Sequence, residues 1–474
     1  MIENLKSASK LNSMLKMFKS HRIHFSITFI SLLFFFSIFS IANYLSEKTY
    51  IIYISIFILI FIANLWLLLL TFPRTATRTS ILSHIFIRNR ILNNTNLIGA
   101  EIGVYQGEYS EQIFNYFKKK FNLKFSTMVN SGSSANLLAF QTLINPYRKN
   151  RLKVNDEVLI PALCWPTSFW PIIQSNLKPI FVDCNKNNFN IDLDDLERKI
   201  TKKTKCLMLI HVLGHCANMD QVMKIVKRYK LILIEDNCEG IGSTYKNKLL
   251  GTYGDFSTFS FYSSHQVSGG EGGMLNCKDS RDYQIIKTLR SHGWSRETSS
   301  GRDSIYKHKK DKYLDPKFTF CNSGYNLRPT EACAAIALSQ LKRLNQIKRL
   351  RMTNYNKLKA TLENSKVCSE NFSFMEVNKN ISECWLAFPI ILKKNINRKY
   401  FLDKLLKYGI DTRPIISGDF SKQPVFEKYK IKMQKTYKNS NFIHKYGFYI
   451  GLYSEPLSKK NLVDLKECFI KSLN

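Results

Sequence analysis

The chain predicts an α/β fold, a doubly wound and mostly parallel sheet, preceded by two membrane-crossing helices. Three observations carry this expectation. First, Glu157-Val158-Leu159-Ile160, Pro179-Ile180-Phe181-Val182, Cys206-Leu207-Met208-Leu209-Ile210 and Leu231-Ile232-Leu233-Ile234 are short, nearly continuous apolar runs. That is the pattern of strands buried on both faces. Second, helical segments such as Met219 to Tyr229 lie between the runs, as the crossovers of parallel strands require. Third, His24 to about Leu45 and Tyr50 to about Phe72 contain no Lys, Arg, Asp or Glu.

Each of those two stretches matches the ~20 apolar residues that cross a bilayer. A secretory signal has a shorter apolar core, about 7–15 residues, and is not followed at once by a second span. Lys6, Lys10, Lys16, Lys19 and Arg22 precede the first stretch; Arg74, Arg78, Arg88 and Arg90 follow the second. The loop Ser46-Glu47-Lys48-Thr49 between them is nearly neutral, so the positive-inside rule places both ends in the cytoplasm. The expectation is a cytoplasmic basic leader over 1–23 and a transmembrane hairpin over 24–72, with spans 24–45 and 50–72. A linker or interfacial segment over 73–110 follows, with Ile81 to Arg88 lying along the membrane surface. Localisation would then be the inner (cytoplasmic) membrane, multi-pass, with the globular body in the cytoplasm.

Gly99-Ala100-Glu101-Ile102-Gly103-Val104-Tyr105-Gln106-Gly107 looks like the first glycine loop of a SAM methyltransferase, but the layers that should follow are absent. A turn leading into the first helix of the body is the simpler reading. The body itself divides into a large domain over 111–345 and a small C-terminal domain over 346–474. A long basic helix, about Thr330 to Leu362, bridges them. The 474 residues accommodate a membrane segment and this two-lobed body.

A formal charge of +34 points to anionic partners such as phospholipid headgroups or nucleotide phosphates. Lysines spread over a solvated surface give the same number. No nucleic-acid motif occurs, so nucleic acid is not expected. None of the 11 cysteines forms a C-x-x-C pair. No metal site and no iron–sulfur cluster is therefore expected, and the thiols read as buried and reduced.

Four segments carry candidate chemistry. Gly132-Ser133-Ser134-Ala135-Asn136 follows a strand-like run and opens an apolar helix, where free N–H groups and two hydroxyls make a phosphate seat. Taken alone, such turns more often only cap a helix. Glu235-Asp236-Asn237-Cys238-Glu239 lies just past a strand, at the sheet edge where α/β folds bind ligands. Trp165 also follows a strand; it either stacks on a ligand ring or packs in the core. His265 sits between an aromatic strand and Gly269-Gly270-Glu271-Gly272-Gly273, where backbone approaches closely.

These segments fall into blocks: Asn130-Ser131-Gly132-Ser133-Ser134-Ala135, Asp156-Glu157-Val158-Leu159-Ile160-Pro161-Ala162 and His211-Val212-Leu213-Gly214-His215. Further on come Ile234-Glu235-Asp236, Gly254-Asp255-Phe256-Ser257-Thr258-Phe259-Ser260-Phe261 and Gly324-Tyr325-Asn326-Leu327-Arg328-Pro329-Thr330-Glu331. From about Glu111 onward the set resembles the DegT/DnrJ/EryC1/StrS family of sugar aminotransferases, which use pyridoxal phosphate (PLP) on nucleotide-linked 4-keto sugars. The resemblance implies an α/β, PLP-dependent transferase fold of type I. In it a three-layer large domain holds the mostly parallel sheet, and a small C-terminal α/β domain follows. It implies that Ser133, Ser134 and Ser260 hold the cofactor phosphate, Trp165 stacks on the ring and Asp236 pairs with its nitrogen. Glu239 stands where the family often has Gln against the ring. Asn326 would reach the cofactor of a neighbouring subunit, implying a homodimer with shared active sites. His215, Arg296 and Arg413 are implied to contact the sugar substrate.

His265 occupies the position of the family's Schiff-base lysine, and no lysine occurs between Lys248 and Lys278. An imidazole moves protons near neutral pH but cannot form that covalent link. Histidine here marks the subgroup of C3-dehydratases of 3,6-dideoxysugar pathways, which the chain also resembles over Leu289 to Arg296 and Gly409 to Pro414. One branch of it carries a cysteine-bound [2Fe–2S] centre, but no cysteine lies between Cys277 and Cys321. The iron-free, colitose-pathway type is therefore implied, in surface polysaccharide or O-antigen synthesis. PLP would be held non-covalently, with L-glutamate converting it to pyridoxamine phosphate (PMP). His265 would shift the proton as the C3 hydroxyl leaves, yielding ammonia and a 3-deoxy-4-keto sugar. The alternatives are a 4-aminotransferase of the same family, and a catalytically silent, membrane-tethered sensor or scaffold.

Overall fold

The apolar runs become strands because each can bury both faces. The computed structural model describes residues 107–298, 304–306, 313–315, 318–431 and 437–473. Seven strands form one sheet: β1 (Phe125–Val129), β2 (Glu157–Pro161), β3 (Lys178–Val182), β4 (Thr204–Ile210), β5 (Ile232–Asp236), β6 (Phe256–Ser260) and β7 (Gly273–Cys277). Their order is β1-β7-β6-β5-β4-β2-β3. The pairings from β3 through β6 are parallel, whereas β7 runs antiparallel to both of its neighbours. The mostly parallel sheet expected from the sequence is thus mixed, because β6 and β7 form a hairpin-like pair across the glycine turn.

Alternation within each strand sorts side chains into two layers. Val158, Ile160, Met208 and Ile234 face the helices α2 (Gly132–Leu143) and α3 (Pro166–Gln174), meeting Leu138, Ala139, Phe169 and Ile172. Leu159, Leu207, Leu209 and Leu233 face the opposite way, against Met219, Val222, Ile225 and Val226 of α4 (Met219–Tyr229). Full burial of each such aliphatic side chain stabilises by roughly 1.5–3 kcal/mol.

The long helix read over 330–362 is two helices, α5 (Glu331–Lys342) and α6 (Leu344–Glu363), separated at Arg343. The break serves two cores. Ala334, Ala337, Leu338 and Leu341 pack with Phe259 and Phe261, whereas Tyr355, Leu358 and Leu362 pack with the C-terminal sheet. That second sheet is antiparallel, in the order β8 (Phe372–Phe374), β9 (Ala387–Leu392), β11 (Gly447–Gly451), β10 (Thr412–Arg413).

The expected inner-membrane, multi-pass localisation requires correction. Among the described residues no helix is long and apolar enough to cross a membrane. The longest, α6, has 20 residues and carries Lys348, Arg349, Arg351, Lys357, Lys359 and Glu363 along its length. The stretches 24–45 and 50–72 lie outside the described residues, as does the glycine-rich segment 99–106.

Candidate active site

Strand direction brings the candidate residues together. β1, β2, β5 and β6 all end at one edge of the sheet, and the residues that follow them wall a cavity of about 440 Å³. Ser133, Trp165, Asp236, Glu239, Ser260, His265 and Arg413 line it.

After β1 the chain turns into α2 with Ser131 as its cap, whose hydroxyl oxygen accepts from the Ser134 N–H at 3.0 Å. Gly132 is demanded by packing. A Cβ there would stand 2.7 Å from Ser260 Cβ and 2.8 Å from Cys238 Sγ. The two hydroxyls of the motif separate. Ser133 shares a 2.8 Å hydrogen bond with Thr167 and faces the cavity. Ser134 instead donates to Asn130 Oδ1 at 2.6 Å and does not line the cavity. Thr167 stands in the first turn of α3, so two helix N-termini with unsatisfied N–H groups converge on one spot.

Trp165 caps α3 and is 54% exposed, which removes the packed-core reading. It is part of the cavity wall. Asp236 ends β5 and is buried: Oδ2 accepts from Asn136 Nδ2 at 2.9 Å and from the Ser168 hydroxyl at 2.7 Å, and Oδ1 from the Cys238 N–H at 3.2 Å. Its neighbour Glu235 anchors the strand end, accepting from the N–H groups of Gly251, Tyr253 and Gly254 and meeting His211 Nε2 at 3.0 Å. Burial works to raise the Glu235 pKa, but those hydrogen bonds hold it below the usual value.

His265 lies in a turn whose N–H donates to the Tyr262 carbonyl at 3.0 Å. Its ring meets Tyr262 edge-on, with centroids 5.8 Å apart. Nδ1 is buried without a hydrogen-bond partner. Burial pushes the imidazole down to about 4, with the Ser260 backbone and the Asp236 charge opposing and Arg351 adding to the fall. It is therefore neutral at pH 7, able to accept a proton.

Glu239 sits on the opposite side of the same motif, where its Oε2 accepts from the Leu213 N–H at 2.8 Å. Burial, with the Asp236 charge adding to it and the Leu213 N–H opposing, raises its carboxyl to about 7. Gln266 ties the two segments together. Its Nε2 donates to the backbone carbonyls of Glu239 and, at 2.8 Å, Cys384. From the small sheet come Arg413 and Tyr449, brought side by side by the β10–β11 register. Burial and the Glu239 charge raise the Tyr449 hydroxyl, while Arg413 opposes the rise.

Three candidates stand elsewhere. His215 is sealed, its Nδ1 3.1 Å from Glu383 Oε1 and its ring stacked on Trp385. That is the setting of a packed, hydrogen-bonded residue. Arg296 lies over the Trp294 ring at 5.2 Å. Asn326 accepts from Arg328 at 3.4 Å on the exposed surface. Neither lines the cavity. Thr167, Ser168, Tyr262, Glu271 and Tyr449 do border the site, or bond to its members, without having been singled out in the sequence. Thr167 and Ser168 had a signal, since they follow Trp165 at the same helix start.

The DegT/DnrJ/EryC1/StrS aminotransferase family model matches residues 88–463. GDP-4-keto-6-deoxy-D-mannose 3-dehydratase of Escherichia coli O55:H7 is 35% identical over 349 residues, 73% of this chain and 88% of that protein. The solved E. coli GDP-4-keto-6-deoxy-D-mannose-3-dehydratase with bound hydrated PLP is 30% identical at a TM-score of 0.71, covering 85% of this chain and 98% of that one. A GDP-4-keto-6-deoxymannose-3-dehydratase structure with a trapped PLP-glutamate geminal diamine is 32% identical at a TM-score of 0.70, covering 78% and 93%.

Proposed function

The chain belongs to the DegT/DnrJ/EryC1/StrS aminotransferase family, and on that premise we propose that it removes the C3 hydroxyl of a nucleotide-linked 4-keto-6-deoxyhexose. PLP is its cofactor and L-glutamate its amino donor, as the trapped PLP-glutamate of a solved relative supports. The single observation that carries this reading is His265. It lines the cavity where the family's lysine would stand, and among the described residues no lysine lines that cavity.

The residues fit a phosphorylated pyridine. The paired starts of α2 and α3, with Ser133, Thr167 and Ser260, suit the phosphate. Asp236 accepts from three donors and retains lone pairs on Oδ1 for a protonated ring nitrogen. The exposed Trp165 face suits stacking. Bound there, the cofactor supplies an electron sink conjugated to the reacting sugar carbons. The protein contributes orientation and proton movement: His265, neutral at pH 7, takes the proton. The Arg413 guanidinium is suited to an anionic group of donor or substrate.

In this reading residues 111–345 hold the cofactor and 346–474 close the cavity with Arg413 and Tyr449. Two copies share their sites, each lending Asn326 to the other's cofactor. Support comes from an exposed aromatic surface beside Asn326, where Phe318 and Phe320 flank Trp294 and are themselves 56% and 58% exposed.

The attachment of the cofactor tests the reading against a transaminase that borrows a lysine. Borohydride treatment of the PLP-loaded enzyme, followed by denaturation, leaves the protein mass unchanged and all cofactor free. A protein carrying reduced cofactor on a lysine would contradict the proposal.

A further inference from the structure

A dehydration has two proton demands, a base for the C–H bond that breaks and an acid for the oxygen that leaves. Two of the titratable groups that line the cavity, His265 and Glu239, use their polar atoms differently. His265 Nδ1 points to no protein partner, while Glu239 spends Oε2 on the Leu213 N–H. Among the described residues no hydrogen bond to Glu239 Oε1 is found, and the side chain lines the cavity. Gln266 fixes the spacing of the two segments through the Glu239 carbonyl. From this arrangement we infer that Glu239 is the acid that protonates the departing C3 hydroxyl, leaving His265 free to act as the base.

The inference rests on the dehydratase reading and assigns the second half of its proton transfer. The C3–O bond breaks with its electron pair on oxygen. Glu239 gives its proton to that oxygen, water departs, and Glu239 remains as carboxylate. The replacing electron pair comes from the C–H bond whose proton His265 has taken. The two electrons of the net deoxygenation come from the amino donor, which leaves as its keto acid. Groups whose environments push their pKa values apart mark acid and base. Here burial keeps Glu239 protonated to about 7 and His265 neutral down to about 4. The groups facing Glu239 agree. Asp236 holds the carboxyl up, and Cys238, a thiol kept neutral by burial, adds no charge. The Tyr449 hydroxyl, itself raised, is likewise neutral, and the Arg413 guanidinium paired with it is the cation of the same cavity wall.

Glu239→Gln is the test, because the amide keeps the size and the acceptor for Leu213 while lacking the proton. Turnover to deoxysugar should fall about 10²-fold or more. The wild-type profile should decline as pH rises through about 7, where Glu239 loses its proton, and Glu239→Gln should lack that limb. Infrared difference spectra of the cofactor-free protein should show a protonated carboxyl titrating near pH 7 in wild type and not in the variant. Wild-type turnover in Glu239→Gln, or an unchanged basic limb, would overturn the inference. The dehydratase reading fails separately, by wild type making an aminosugar.

Discussion

Replacing His265 by Asn should cost about 10²–10⁴-fold in deoxysugar formation, the usual contribution of a positioned proton-transfer group. Cofactor binding should change little, because the helix starts with Ser133 and Thr167, Trp165 and Asp236 belong to other segments. Asn fits the cavity and cannot accept a proton at neutral pH. The wild-type pH profile gives an independent check. Burial pushes the imidazole down to about 4, so the neutral, proton-accepting form persists below pH 6.5, where an ordinary histidine is half protonated. Wild-type kcat/KM should therefore hold as pH falls through 6.5 and drop only towards about 4. An acid limb centred at 6.5 would mean that His265 is not the base, or is not buried in the working enzyme.

Asp236→Asn should be nearly as damaging. The carboxylate accepts from Asn136, Ser168 and the Cys238 N–H, all donors. An amide in its place must point its NH₂ at one of these donors whichever way it turns. Losing a buried hydrogen bond to a charged group costs about 1.5–3 kcal/mol, and an unsatisfied partner about 1–3 more. Without the negative charge the ring nitrogen loses its reason to stay protonated, so the electron sink weakens as well. Expected outcomes are cofactor retention reduced by at least about tenfold on dialysis and turnover reduced by about 10²-fold or more. Full retention and activity would remove Asp236 from the site.

The parallel core was legible because strands buried on both faces have no periodicity to misread: four apolar runs became β2 to β5 within two residues at either end. β7 was not. Gly273-Met274-Leu275-Asn276-Cys277 abuts a glycine turn and is a strand only because β1 and β6 pair with it on both sides. The break at Arg343 was invisible for a similar reason, since each half of the helix faces a different core.

In the site, groups at strand ends and helix starts were readable from order along the chain. Trp165 was ambiguous in the sequence, and exposure places it in the cavity wall. Tyr449 had no local signal. It reaches the cavity through pairing with Arg413, a register that only the folded sheet defines. The unequal fates of Ser133 and Ser134 were likewise undecidable, because both lie in one helical turn and only the cap geometry turns Ser134 towards Asn130.

In the proposed function a histidine in the lysine position redirects the site from amine transfer to deoxygenation. Mass and proton NMR of the sugar made by the wild-type enzyme from a GDP- or CDP-linked 4-keto-6-deoxyhexose and L-glutamate test it most directly. The expected product is a 3-deoxy-4-keto sugar with a methylene at C3, together with free ammonia and one 2-oxoglutarate per turnover. A stable 4-amino sugar that keeps its C3 hydroxyl would contradict it.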